Sequence, residues 1–330
     1  SIRGSPAEPF QIELGPGQQS SFVHIFLLFR LILYSIPSGT AGVLEKCDIF
    51  PYPNGYARCR TDGIIAPMEE IRPSNPALFP YIESFWFLKS GDDAEPYLLP
   101  PDSKGTLIFS FRSSTTVRTA ADAGYTVNGH FCTGLRSSPV TLNPCGPVDY
   151  VAVQLKPYAL RSLLGIHARE AADYLVELPD LCTLFHRRAL RALPDSPSPA
   201  AAVEALEPVL LEGLAGRNLV PPLYLVRGID RITASSGSLR IRNLCDEIGI
   251  TARQLEREFE RWIGIPAKLF ARIVRMNKAL DILQDYTTPV DLADLAASLG
   301  YCDQSHMCGD FADLAGISPK QISLIATDTR

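Results

Sequence analysis

The chain has no closely spaced pair of cysteines, no excess of positive charge, only five histidines and no apolar run long enough to cross a bilayer. Each shortage excludes a class of protein. Eight cysteines lie scattered along 330 residues without a CxxC pair, whereas a structural zinc site needs close ligands and a secreted disulfide scaffold is far shorter. Reduced thiols in a cytosolic protein are the expectation. Residues 67–193 hold no cluster of His and Glu that could ligate a metal, so neither a metal nor a cofactor is expected. G-x-S-x-G, H-E-x-x-H, Walker and dinucleotide fingerprints are all missing, which speaks against an enzyme. His130 with Cys132 near Asp149 is the nearest thing to a nucleophilic constellation. It sits in GHFCTG and reads better as a turn in a β region. The net charge of -5 excludes bulk coating of nucleic acid but not DNA binding by one local surface. The longest apolar run, residues 22–36, contains His24 and Arg30 and falls short of the ~20 residues that a span requires. It reads as a buried element or a non-native extension, without a membrane partner.

What is present divides the chain by composition. Residues 1–66 gather Pro, Gly and Ser around that apolar run and read as a poorly structured or non-native extension. Residues 67–193 then read as a mostly β domain closed by helices. YIESFWFL (81–88) is aromatic and strand-like, and 98–111 places a Pro-Asp-x-x-Gly turn between two apolar runs. DYVAVQL (149–155) alternates with period two and leads into PYALRSLL, whose proline suits a first helical turn and whose following Gly165 suits the stop. PDSPSP (194–199) has the composition of a stiff linker, and 194–219 are expected to be linker and helix, bent at Pro208. From residue 220 helical periods dominate, first as a stripe of Leu225, Ile229 and Ile232.

The strongest signal is a repeat within 220–330. Leu244-Cys245-Asp246-Glu247-Ile248-Gly249-Ile250 is matched by Leu295-Ala296-Ala297-Ser298-Leu299-Gly300-Tyr301, a shift of 51. Phe259 follows ten residues after Gly249, and Phe311 eleven after Gly300; each is followed five residues on by glycine, Gly264 or Gly316. A duplicated unit of this size is hard to obtain by chance. Each copy has the layout of a helix-turn-helix, at about 239–264 and 290–316: a short amphipathic helix, a glycine turn, then a capped second helix. Thr251 with Gln254 makes a capping box ahead of Leu255, Phe259 and Trp262, while Asp303 caps ahead of Met307, Phe311 and Leu314. The expected fold class is therefore α+β and multidomain, a β-rich domain followed by an all-α domain with two helix-turn-helix motifs.

The segment RQLEREFERWIGIPAKLFARIVRMNKAL, with LADLAASLGYCDQSHMCGDFADLAGISPKQI after it, resembles the DNA-binding domain of the AraC/XylS family. The likeness runs from residue 220 to about 325 and is most specific at GY-x-DQSH…F…GISP. The middle region is similar, more loosely, to the sensor domain of one subgroup. That likeness rests on Phe85-Trp86, the Pro-Asp-x-x-Gly turn and QLKPYALRSLLGI. The resemblance implies a bacterial, cytoplasmic, nucleoid-associated regulator whose partners are promoter DNA, RNA polymerase, a small-molecule effector and a second copy of itself, with activation as the mode. A cupin-like module at 67–193 would then receive the effector, with Trp86, Leu107, Phe109 and Val153 as candidate lining.

An α-helix fits the major groove, and residues near its N-terminal end reach base edges. In the first copy that set is Arg253, Gln254, Glu256 and Arg257, positions that contact bases in relatives. Arginine can bind guanine O6 and N7 as a fork, and Glu256 could accept from cytosine N4. In the second copy the set is Gln304, Ser305 and Cys308, followed by Gly309 where relatives carry arginine. Residues 220–280 hold eleven Lys/Arg against six Asp/Glu, a balance of +5, while 281–330 hold two against eight, a balance of -6. Either the first motif dominates recognition or the second half serves a protein contact. A regulator-derived interaction module that no longer binds DNA specifically is the alternative.

Overall fold

A computed structural model describes residues 69–89, 97–112, 114–119, 122–195, 197–284 and 290–322. The extension expected at 1–66 lies outside the described residues. The β strands run β1 (Glu69–Ile71), β2 (Ile82–Lys89), β3 (Tyr97–Leu99), β4 (Gly105–Ser110), β5 (Thr115–Thr119), β6 (Asp122–Val127), β7 (His130–Thr133), β8 (Val140–Pro144), β9 (Asp149–Leu155) and β10 (Leu175–Glu177). They form an antiparallel six-stranded sheet, β1-β2-β9-β4-β7-β10, and a four-stranded sheet, β3-β8-β5-β6. In the centre of the larger sheet Phe85 is opposite Val153, and Leu107 is opposite Val153 on the other side.

Successive side chains of a strand point to opposite faces, so this register sorts the core. Phe85, Leu107, Phe109 and Val153 share one buried cluster with the helices α1 (Ala159–Leu164), α2 (Leu178–Ala192) and α3 (Pro199–Arg217). Trp86, opposite Ala152, lies on the other face, where its indole Nε1 donates to Ser84 Oγ at 2.8 Å. Here Val117, Val127, Phe131 and Leu142 fill the space between the sheets.

Helix α3 follows the proline-rich 194–199 segment and is anchored in this first core. Ala202, Val203, Leu206, Val209 and Leu210 are buried in it. The buried Glu207 accepts from Ser74 Oγ at 2.6 Å. A linker-like composition thus leads into a helix that closes the β domain. Pro208, exposed, lies inside this single helix instead of ending it.

The remaining helices are α4 (Leu223–Ala234), α5 (Ile241–Ile248), α6 (Ala252–Trp262), α7 (Ala267–Gln284), α8 (Leu292–Ser298) and α9 (Gln304–Ala315). Their apolar stripes, including the expected Leu225, Ile229 and Ile232, converge on a second core that also takes in Leu135, Tyr158 and Ala172 from the β-rich part. The two parts therefore meet through packed side chains. At the junction Gly264 has φ +90°, and a Cβ there would stand 2.8 Å from the carbonyl oxygen of Ala168. Only glycine combines that left-handed backbone with so close an approach. Asn277, buried on α7, donates from Nδ2 to Pro101 O at 3.3 Å. Among the described residues, no helix is long and apolar enough to cross a membrane.

Candidate nucleic-acid interface

Helices α5 and α6 are joined by a three-residue turn in which Gly249 takes φ +72° and its N–H returns to Cys245 O. Thr251 then caps α6, its Oγ1 accepting from Gln254 N at 3.2 Å. This satisfies one of the free donors of the first turn. Leu255, Phe259 and Trp262 are buried along one side of α6, and that burial fixes which residues face out. Arg253, Glu256 and Arg257 are exposed and Gln254 is half-buried, so the four candidate base contacts come together on the free side of the helix. They are not equivalent. Glu256 Oε2 stands 3.4 Å from Ala267 N, at the start of α7, as a long N-terminal contact. Arg257 is 72% exposed, and its guanidinium stands 3.6 Å from the buried Glu258 carboxylate. Arg253, Arg257 and Arg261 recur every four residues, and all three are exposed. The sequence reading named two and missed Arg261, although the same spacing shows it.

Helices α8 and α9 repeat the arrangement. Asp291 caps α8 and Asp303 caps α9, the latter accepting from His306 N at 2.7 Å. Met307, Phe311 and Leu314 are buried as expected, and Gln304, Ser305 and Gly309 are exposed with Cys308 half-buried. Those four positions are thus small and uncharged, with the exposed Asp313 one turn beyond Gly309, and a Cβ at Gly309 would meet nothing within 4 Å.

The acids of α9 go elsewhere. Asp310, 2% exposed, accepts from Arg272 at 2.8 Å and pairs with Arg275 at 3.3 Å, and Asp313 pairs with Arg272 at 2.9 Å. Arg275 also lies over the Tyr301 ring at 4.2 Å. Although burial opposes it, the Asp310 and Asp313 carboxylates hold the Arg272 guanidinium above its ordinary range. Both arginines belong to α7. The charge counted as positive in 220–280 and the charge counted as negative in 281–330 therefore cancel in part across this contact. Counting by segment overstates the contrast between the motifs.

In the β-rich part the four candidate effector residues do not make one pocket. Leu107, Phe109 and Val153 are fully buried under the helices, while Trp86 faces the inter-sheet space with Ser84. The candidate nucleophile pair, His130 and Cys132, shares one face of β7, opposite Phe109 and Leu107. His130 is buried against Phe109 and stands 3.2 Å from His186. Burial first, and the neighbouring His186 second, lower its pKa to about 4. Burial pushes the Cys132 thiol up to about 12, so a reactive thiolate is not on offer there. Among the described residues no group of three or more His, Cys, Asp or Glu is placed to hold a metal.

Comparison with known proteins adds to this geometry. A family model described as a helix-turn-helix domain matches residues 244–323, and a domain of unknown function, DUF6597, matches 69–177. No curated protein matches the chain. Among solved structures the chain is similar to ToxT from Vibrio cholerae O395, with 12% identity and a TM-score of 0.42, over 72% of this chain and 95% of that one. The C-terminal domain of AraT, a response regulator from Geobacillus stearothermophilus, is 21% identical over 32% of this chain and 88% of its own, with a TM-score of 0.30. The AraC-like transcriptional activator CuxR is 12% identical over 72% and 91% of the two chains, with a TM-score of 0.28. The C-terminal part of the chain is thus an AraC-type helix-turn-helix domain of the kind carried by DNA-binding transcription regulators, set behind a β-rich domain that matches DUF6597.

Proposed function

We propose that the chain is a promoter-binding activator in which α6 supplies most of the base recognition and α9 a smaller share. The observation that carries this reading is the exposed row Arg253, Arg257 and Arg261 on α6, set against an α9 face made of Gln304, Ser305, Cys308 and Gly309. Arginine forks can specify guanine and hold phosphates, and Gln304 can read adenine through N6 and N7. The β-rich domain, about 67–193 with α3 packed into its core, would receive a small-molecule effector and support a homodimer. Trp86 with the buried Ser84 and Gln154 is the better candidate lining, since pockets combine apolar walls with a few polar anchors. An effector can act only by binding the DNA-competent and DNA-incompetent arrangements unequally. Activation then requires a further contact with RNA polymerase.

A salt titration of binding to duplex DNA tests the reading. Log K should fall steeply and linearly with log salt, because each neutralised phosphate contributes a slope of about -0.9. A flat dependence, with binding absent at low salt, would point instead to a regulator-derived protein-interaction module. Trp86 and Trp262 are the two tryptophans of the chain. Effector binding should change the emission of Trp86 in a Trp262→Phe variant.

A further inference from the structure

We infer that the DNA-binding surface extends from α6 onto the β-rich domain, where Arg169 acts as an additional phosphate clamp. This rests on the reading of α6 as the principal DNA-contacting helix. The row Arg253, Arg257, Arg261 climbs α6 toward its C-terminal end. There the 3-10 turn Ala168–Glu170 of the β-rich domain is packed against the helix. Three contacts fix it. The Ala168 carbonyl lies over Gly264, the Arg161 guanidinium stands 5.2 Å over the Trp262 ring, and Arg169 Nη1 is ion-paired with Glu260 Oε1. Between turn and helix runs an open cleft of about 650 Å³ lined by His167, Arg169, Glu170, Arg257, Glu260 and Arg261.

Because Arg257 belongs both to this cleft and to the base-reading side of α6, the cleft opens beside the groove that α6 would enter. The cleft holds three guanidiniums against two carboxylates, and the carboxylates are already engaged. Glu170 Oε1 accepts from His167 N at 2.8 Å, closing the turn on itself. Glu260 holds Arg169, but both side chains are largely exposed, at 57% and 73%. A pair so exposed contributes little, whereas a guanidinium fork on a phosphate is short, bidentate and charge-assisted. A helix with side chains is about 10–12 Å across and fills a major groove about 12 Å wide. A side chain standing next to α6 therefore meets the flanking strand. The partner that fits is the sugar–phosphate backbone beside the half-site, which Arg169 would hold while Glu260 is released.

The test compares the full chain with Arg169→Ala and Arg169→Lys on one 30-base-pair duplex, measuring binding from low to high salt. Arg169→Ala should reduce the magnitude of the log K against log salt slope by about 0.9, with equal weakening on specific and random duplexes. Arg169→Lys should restore the slope, since lysine still neutralises a phosphate. Glu260→Gln should tighten binding by about two- to fivefold, the range set by losing an exposed competing pair. An Arg169→Ala protein that keeps the parental slope, or that binds more tightly, overturns the inference and makes Arg169–Glu260 a restraint on α6. A parental chain that binds no duplex at low salt overturns the reading of α6 itself, and this inference with it. Thermal melting of both Arg169 variants at the parental temperature shows that the outcome is not due to misfolding.

Discussion

The two helix-turn-helix units share their length, turn glycine and buried stripe, yet they spend their charge in opposite directions. Helix α6 buries Leu255, Phe259 and Trp262 and turns Arg253, Arg257 and Arg261 outward. Helix α9 buries Met307, Phe311 and Leu314 and turns its one buried acid, Asp310, inward onto the arginines of α7. One duplicated scaffold thus carries a row of arginines on its outer face in the first copy and no cation on that face in the second. In the second unit Asp310 and Asp313 are paired with α7, while the exposed Asp291, Asp294 and Asp303 stand beside a recognition face without cations. Phosphate contacts supply much of the affinity of DNA binding, so a face of this kind should add specificity at one or two bases and little to the salt dependence.

The largest effect is expected inside the second unit. Asp310→Asn removes the buried carboxylate shared by Arg272 and Arg275, leaving charges uncompensated, and should lower the unfolding free energy by about 3 kcal/mol in urea titrations. If stability barely changes, the acids of α9 are surface charges after all and the contrast loses its basis. Next comes Arg257→Ala, which should cost about 1–3 kcal/mol of binding and relax preference at one base pair. Gly309→Arg should stabilise folding by about 1 kcal/mol through helix propensity, and should strengthen binding through a new phosphate contact that steepens the salt slope by about 0.9. The site has room for the side chain, since nothing lies within 4 Å of a Cβ there. The smallest change should come from Glu256→Gln, whose long contact to the start of α7 is worth a few tenths of a kcal/mol to folding. A loss of specificity from Glu256→Gln as large as that of Arg257→Ala would assign Glu256 to a base instead of to the helix start.

The fold class was legible in the chain because its determinants are local. The repeat of Leu244 to Gly249 in Leu295 to Gly300 sets two helices and two turns, and Thr251 and Asp303 mark where the second helices begin. The outward sets on α6 and α9 followed from the same period. What escaped the reading depends on contacts between distant residues. Asp310 reaches Arg272 across 38 positions, so segment charges could not reveal that they cancel. Arg169 meets Glu260 across 91 positions, and nothing in either neighbourhood announces the other. In the β-rich part, alternation predicts faces within one strand but not which face meets which neighbour. Trp86 and Val153 therefore looked like companions until the register of β2 on β9 put them on opposite sides of the sheet. The proline-rich segment before α3 shows the same limit, since composition reports local stiffness and not what the following helix packs against.

The central claim, that α6 dominates recognition, is tested most directly by measuring Arg257→Ala and Gln304→Ala on one selected operator across a salt series. The account predicts a loss of about 1–3 kcal/mol with a shallower slope for Arg257→Ala. For Gln304→Ala it predicts a loss under about 1 kcal/mol with the slope unchanged, because glutamine neutralises no phosphate. Equal losses from the two variants would contradict it, showing that both recognition helices carry the site together.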